Sequence, residues 1–289
     1  GYVWNAFGAE VTIIEALDRI LPLEDAEAAA LARKIFEKRG VKFITGAFAS
    51  AGSRGPKGLG LDLKPAKAGA AADFPSRVDA DAVLVAVGRV PNSAGIGLEE
   101  IGVTLERGFV PVGDFGQTAA KGVYAIGDIV ATPLLAHVAS KEGELAAEHI
   151  ASVLKGHPLP RERRIDPALV PSAVYCDPEI ASFGLQEEKA KAQGLPHKVF
   201  SFPYRGIGKA MATEKAEGFV KVVAHPDTGE ILGAVIVGER ATDLVHELLL
   251  ARAAELTVED IADLIHAHPT LAEGVMEAAR GILGRAVHA

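Results

Sequence analysis

Apolar and polar positions along the first 45 residues follow two different periods. Glu10-Val11-Thr12-Ile13-Ile14-Glu15 is a β-branched run that predicts a buried strand, and the short helical segment before it ends at Gly8, a residue suited to a left-handed cap. Between Asp25 and Arg39, the residues Ala28, Leu31, Ala32, Ile35 and Phe36 fall at i, i+3, i+4, i+7 and i+8. That spacing gives one apolar helix face, which Gly40 closes. Val41 to Thr45 reads as a second strand. Strand, helix and strand in this order predict a parallel pair with a right-handed crossover, the back half of an α/β Rossmann-like unit.

Residues 50 to 77 are rich in Gly, Pro, Ala and Lys and predict exposed hairpins or loops around a short strand at Leu59 to Leu63. Asp81 to Val87 predicts a strand ending in Gly88-Arg89-Val90-Pro91-Asn92. Gly122 to Asp128 predicts another, closed by Gly127-Asp128 and followed by a helix from about Leu135 to Leu154. The charged stretch Lys155 to Pro171, with Pro158, Pro160 and Pro167, reads as a linker. After it come short strands (Ala173 to Cys176, Val199 to Phe202, Phe219 to Val223, Ile231 to Val237) and then helices near 241–254, 257–265 and 271–283. Strands followed by helices predict an α+β domain with an antiparallel sheet. The expected division is 1–89, 90–157 and 168–289.

Composition narrows the function classes. Net charge is −8, which argues against a nucleic-acid binder. The longest strand-like apolar run, Ala82 to Val87, is far short of the ~20 residues that cross a bilayer, so no membrane span is expected. Cys176 is the only cysteine, so the chain can hold neither an intrachain disulfide nor a cysteine-based zinc cluster. It lies in an expected strand and reads as a buried, inert thiol. The first residues, Gly1-Tyr2-Val3-Trp4, include no initiator methionine and no signal-peptide pattern, and the chain reads as a piece of something longer.

Three constellations carry candidate chemistry. Glu15, at the carboxyl end of its strand, can accept both adenine-ribose hydroxyls and would repel a 2′-phosphate, favouring NAD over NADP; it serves equally as an ordinary solvated acid. No glycine-rich loop precedes that strand, so nucleotide affinity is expected to be weak. Asp128, behind the aromatic run Tyr124-Ala125-Ile126-Gly127, can hold a flavin polyol or simply close a turn. The helix opened by Pro133-Leu134-Leu135-Ala136-His137 can turn its first amides toward a flavin pyrimidine. In Ile265-His266-Ala267-His268-Pro269-Thr270-Leu271-Ala272-Glu273, the proline biases His268 to extended backbone. Glu273 can fold back on that ring, fix its tautomer and raise its basicity, which suits a general base. His266 and His268 are also open to reading as metal ligands or caps, although no third histidine or cysteine cluster stands at ligand spacing, and no metal is expected.

In their order along the chain, Val11-Thr12-Ile13-Ile14-Glu15, Val85 to Asn92, Tyr124 to Asp128, Leu134 to His137, Pro171 to Tyr175 with Pro178-Glu179, and His266 to Glu273 resemble the flavin-dependent pyridine nucleotide-disulfide oxidoreductases. The resemblance implies a homodimeric enzyme that passes electrons from a dithiol, dihydrolipoamide, to NAD through FAD and a disulfide, serving lipoyl-bearing 2-oxoacid dehydrogenase complexes. It implies that Glu15, Phe48 and Gly88 contact NAD, and that Asp128, Leu134, Leu135, Ala136 and His137 contact FAD. It further implies that His268 takes a proton from substrate bound to the other subunit while Glu273 orients it, with residues from about 170 to 289 forming the dimerisation domain. A cytoplasmic or mitochondrial-matrix setting goes with it. Glu15 disfavours glutathione reductase, and the tail Arg285 to Ala289, without a cysteine pair, disfavours mercuric reductase. The family's first FAD-binding domain, its redox cysteine pair and the first strand and glycine loop of its NAD domain have no counterpart in the sequence. The chain alone is therefore expected not to turn over lipoamide, and the alternatives are a non-catalytic dimerising or assembly module and a related disulfide reductase with another substrate.

Overall fold

The computed structural model describes residues 1–55, 58–68, 73–159 and 165–288. They fall into two compact units, Gly1–Leu84 with Pro171–Ala289, and Val85–Val170. The first unit opens with α1 (Tyr2–Ala6), β1 (Thr12–Glu15), α2 (Ala26–Lys38) and β2 (Lys42–Thr45), and β1 pairs parallel with β2. Asp25 starts α2 because its carboxylate accepts the amides of Glu27 (3.0 Å) and Ala28 (3.2 Å). Ala28, Ala32, Ile35 and Phe36 on the expected face are buried. Residues read as hairpins or loops form a three-stranded antiparallel sheet of β3 (Ala47–Gly55), β4 (Gly58–Pro65) and β5 (Arg77–Ala80). Gly69 to Ala72, part of the same reading, lie outside the described residues.

The strand expected over Asp81 to Val87 is not formed. The segment runs exposed, with Leu84 75 %, Val85 74 % and Val87 92 % accessible. β-branched residues favour a strand through the packing of a covered ladder, and among the described residues no strand pairs with this one.

The second unit is built around α3 (Ala136–Lys155), within one residue of expectation. The strand expected at Gly122 to Asp128 is a single bridge between Gln117 and Tyr124. The Thr118 hydroxyl donates to Val123 O (3.0 Å) and accepts the Ala120 amide (3.2 Å), closing a tight turn. Gly127, at φ +73°, then leads into the 3₁₀ turn Gly127–Ile129. His149 of α3 holds this hairpin, its Nδ1 2.7 Å from the Tyr124 hydroxyl and its ring stacked on Phe115 at 4.8 Å. The small core beneath is Val103, Val110, Ala125 and Val130. Of the expected linker, Pro160 to Arg164 lie outside the described residues.

The rest of the first unit is an antiparallel sheet with helices: β6 (Ser172–Val174), β7 (Glu179–Gly184), α4 (Glu187–Ala192), β8 (Lys198–Pro203), α5 (Gly208–Ala212), β9 (Phe219–Ala224), β10 (Ile231–Gly238), α6 (Ala241–Ala253), α7 (Val258–Asp263) and α8 (Glu273–Ile282). The strand order is β6-β7-β10-β9-β8, an α+β arrangement as expected, with β7 the strand that the pattern missed. Cys176 lies past the end of β6 rather than within it, next to Asp177-Pro178, where proline has no amide to continue a ladder.

Successive residues of this sheet serve two cores. Ala181, Phe183, Val220, Val222, Ala234 and Ile236 face α6, α7 and α8, while Ile180, Phe219, Val235 and Val237 pack with Ala28, Ala32 and Phe36 of α2. On the α8 side, a Cβ on Gly281 would lie 2.0 Å from the Phe200 ring, so glycine there permits the close approach. On the α2 side, Lys221 is 3 % accessible and its Nζ lies 2.9 Å from Asp25 Oδ1 and 2.7 Å from Glu27 Oε2. Glu24 accepts the hydroxyls of Ser172 (2.7 Å) and Ser182 (2.8 Å) beside it. Lys221→Ala leaves the buried Asp25 carboxylate without its counter-charge and is expected to lower unfolding stability by about 3–5 kcal/mol in urea. An unchanged midpoint would show that the pair contributes nothing net.

Candidate functional site

His268 sits in the loop between α7 and α8, before Pro269 in a cis peptide. The α8 N-terminus places Glu273 so that its Oε1 lies 2.9 Å from His268 Nδ1, while its Oε2 accepts the Thr270 amide at 2.9 Å. Thr270 Oγ1 donates to Ala267 O at 2.7 Å and ties the turn to itself. The imidazole is 75 % accessible and the carboxylate 22 %. Burial pushes the Glu273 carboxyl up, but the Thr270 amide and the His268 ring outweigh it and hold it below its ordinary 4.5. A carboxylate at Nδ1 selects the tautomer that leaves Nε2 its lone pair, the form a general base requires. Gly208, at the start of α5, faces the ring, with 3.8 Å left between a Cβ there and His268 Cε1.

His266, two residues earlier, points inward. Its side chain is 5 % accessible, with Nε2 2.8 Å from Glu247 Oε1 and Nδ1 3.1 Å from Leu264 O. Both ring nitrogens are thus committed to oxygen atoms of the protein.

The residues expected on the nucleotide side stand apart from this loop in sequence and in role. Glu15 ends β1 half-buried, with Oε1 accepting the Leu17 amide at 2.9 Å. Phe48, in β3, is 58 % accessible. A cavity of about 420 Å³ opens beside β2, lined by Asp18, Arg33, Phe43, Thr45, Lys67 and Phe74 among others. Neither Glu15 nor Phe48 lines it, and its cations are paired, Lys67 with Asp18 and Arg33 with Glu37, each at 2.8 Å.

In the second unit, Gly88 has φ +139° and nothing within 4 Å of its Cβ position. Asp128 lies in the 3₁₀ turn with an oxygen 3.4 Å from Arg89 Nη1. Leu134 and Leu135 are half-buried, while Ala136 and His137 are exposed at the first turn of α3, whose N-cap residue Leu135 makes no side-chain cap. Glu142 of α3 accepts the Gly127 amide at 2.7 Å through Oε2. Its Oε1 and the Thr132 hydroxyl are buried without a hydrogen-bond partner among the described residues. Buried polar atoms are nearly always satisfied. These two orphans, Thr132 four residues after Asp128 and Glu142 on α3, are of the kind that a bound polar group such as a flavin polyol would satisfy.

Against known proteins, residues 1–143 match the family model for pyridine nucleotide-disulphide oxidoreductase, and residues 170–279 match the dimerisation domain of the same family. The chain belongs to the pyridine nucleotide-disulphide oxidoreductase family. It is 41 % identical to dihydrolipoyl dehydrogenase of Bacillus subtilis over 98 % of this chain and 57 % of that protein. It is 43 % identical to the enzyme of the same name from Thermus scotoductus over 100 % of this chain and 60 % of that one. The crystal structure of LpdA from Mycobacterium tuberculosis superposes with a TM-score of 0.85 at 30 % identity, covering 97 % of this chain and 58 % of that one. The chain spans about three-fifths of the length of the relatives it matches.

Within this member of the family, sequence reasoning missed Glu247, Glu142 and Thr132. Glu247 lies 19 residues before His266, and Thr132 and Glu142, though near the Pro133 to His137 run, are a lone Thr and a lone Glu with no pattern of their own. For Cys176, the position inside a strand was wrong, while the geometry gives the thiol no activating cation in hydrogen-bond contact. Its Sγ donates to Pro178 O at 3.1 Å, and burial, then the Asp177 charge, pushes its pKa up to about 11. At pH 8 only about a thousandth of it is thiolate. Alkylation by iodoacetamide is therefore expected to be far slower than for free cysteine and to accelerate as pH rises toward 11, measured by mass spectrometry. Rapid labelling at pH 7 would overturn this.

Proposed function

We propose that this chain is the base-bearing, dimerising part of a flavin-dependent, NAD-linked dihydrolipoyl dehydrogenase. The observation that supports it best is the His268–Glu273 pair, an exposed imidazole with its Nδ1 held at 2.9 Å, within the dimerisation domain of the family. His268 Nε2 takes a proton from a thiol of the dihydrolipoyl group bound by the other subunit of a homodimer. Glu273 holds the ring in the accepting tautomer and stabilises the imidazolium that results. Asp128 and the Leu134 to His137 turn hold FAD, and Glu15, Phe48 and Gly88 hold NAD. FAD, when bound, supplies the electron acceptor that links the dithiol to the nicotinamide. The lipoyl-bearing components of 2-oxoacid dehydrogenase complexes are the partners, in bacterial cytoplasm or mitochondrial matrix. One relative, from Pisum sativum, is a mitochondrial enzyme. No described helix is long and apolar enough to cross a membrane.

A second reading is a non-catalytic dimerising module built on the dimerisation domain matched at residues 170–279. Two experiments separate the readings. The chain on its own is expected to show no NADH-driven reduction of lipoamide, and turnover without an added polypeptide would contradict that expectation. In a chain joined to a flavin domain with the redox cysteines, His268→Gln is expected to reduce lipoamide turnover about 10²–10⁴-fold, the usual contribution of a positioned base. Undiminished turnover would remove His268 from the mechanism. Amide shifts at Glu15 are expected to be larger with NAD than with NADP, and equal shifts would reject the ribose assignment.

A further inference from the structure

From Leu264 to Pro269, every residue except His266 is exposed, with Leu264 at 51 %, Ile265 at 95 % and the His268 ring at 75 %. A loop with so little buried surface has little apolar packing to hold it. Its far end is fixed by Glu273, which reaches back from α8 to His268 and the Thr270 amide. Its near end has one side-chain anchor in this stretch, the 5 % accessible ring of His266, which meets Glu247 on α6, 19 residues earlier in the chain.

The hydrogen bonds of that ring set its role. Leu264 O is a carbonyl and can only accept, so Nδ1 of His266 carries a proton. Glu247 Oε1, 2.8 Å from Nε2, then shares one proton with that nitrogen, whichever of the two holds it. The pair joins α6 to the loop through a short contact at a largely buried ring, where breaking it strands polar groups away from water.

We propose that Glu247 and His266 are a positioning pair for His268. Together with Glu273 they tie the loop that carries the exposed imidazole to two helices, Glu247 on α6 through the His266 ring and Glu273 on α8 through His268 itself. The inference rests on the base role proposed above for its significance, while its test reads the His268 ring in the 289-residue chain and needs neither flavin nor turnover.

The test uses long-range ¹H–¹⁵N spectra of the histidine rings at about two units above the ordinary imidazole pKa of roughly 6.5. In the unaltered chain, Glu273 is expected to hold neutral His268 as the Nδ1–H tautomer, which a free imidazole disfavours. Glu247→Ala is expected to return His268 to the Nε2–H form, while the amide spectrum of the β6-to-β10 sheet stays dispersed. Glu247→Gln, whose amide can still donate to His266 Nε2, is expected to restore Nδ1–H. Persistence of the Nδ1–H form in Glu247→Ala would overturn the proposal. So would collapse of the whole sheet spectrum in that variant, because the pair would then support the domain rather than the loop. If His268 is positioned as described but His268→Gln leaves turnover intact in the flavin-joined chain, the functional reading fails and this one stands.

Discussion

The burial of Lys221 against Asp25 is the constraint around which the first unit is arranged. An ammonium at 3 % exposure and a carboxylate at 2 % each lose most of their hydration, and only their mutual contact with further hydrogen bonds compensates that loss. Asp25 has two tasks at once, since the oxygen that meets Lys221 also accepts the first amides of α2. The start of α2 is thereby fixed over β9, and Ala28, Ala32 and Phe36 follow onto the sheet face that Val235 and Val237 provide. Burial lowers the Lys221 pKa, but the hydrogen bonds its ammonium donates to Glu27 and Asp25 outweigh it, so the group stays charged with its pKa above the ordinary value. With the folded value raised, this stabilisation is complete below pH 10.5 and is lost as pH rises from there through the raised value. The link holds throughout the neutral range.

The same economy of buried carboxylates governs the His268 loop and the chain end. Glu273 receives an amide and a ring nitrogen, and Glu277, one turn later on α8, receives the amides of Val287 (2.8 Å) and His288 (3.1 Å) and Nη1 of Arg280 (3.1 Å). Burial raises Glu277, and these donors outweigh it and hold its carboxyl below 4.5. Because both folded values are depressed, both contacts are complete above pH 4.5 and weaken as pH falls through the lower folded values. One helix therefore fixes the His268 ring at its first turn and the Val287-His288 segment along its body. A ring 75 % exposed has little apolar burial to hold it and depends on such polar contacts.

The second unit keeps its strongest restraint on the hydrogen-bonded side of α3. His149, Tyr124 and Phe115 lock the hairpin to the helix, while Glu142 and Thr132 retain polar atoms without partners.

Local pattern was enough to place α2, α3, β1, β2, β8, β9 and β10, because each carries its apolar spacing within its own residues, although β1, expected as buried, is half-buried along its length. The spacing from His268 to Glu273 was legible for the same reason: five residues across a helix start leave few geometries. The two strands at Asp81 to Val87 and Gly122 to Asp128 failed because a strand is a relation to a neighbour, and an apolar run cannot state whether the neighbour is there. Tertiary structure alone decided that α2 shares a core with the sheet nearly 200 residues later, that Lys221 finds Asp25, and that Glu247 meets His266. These contacts depend on where separate elements come to rest, and a single charged residue in a strand or helix has no period from which its partner can be inferred.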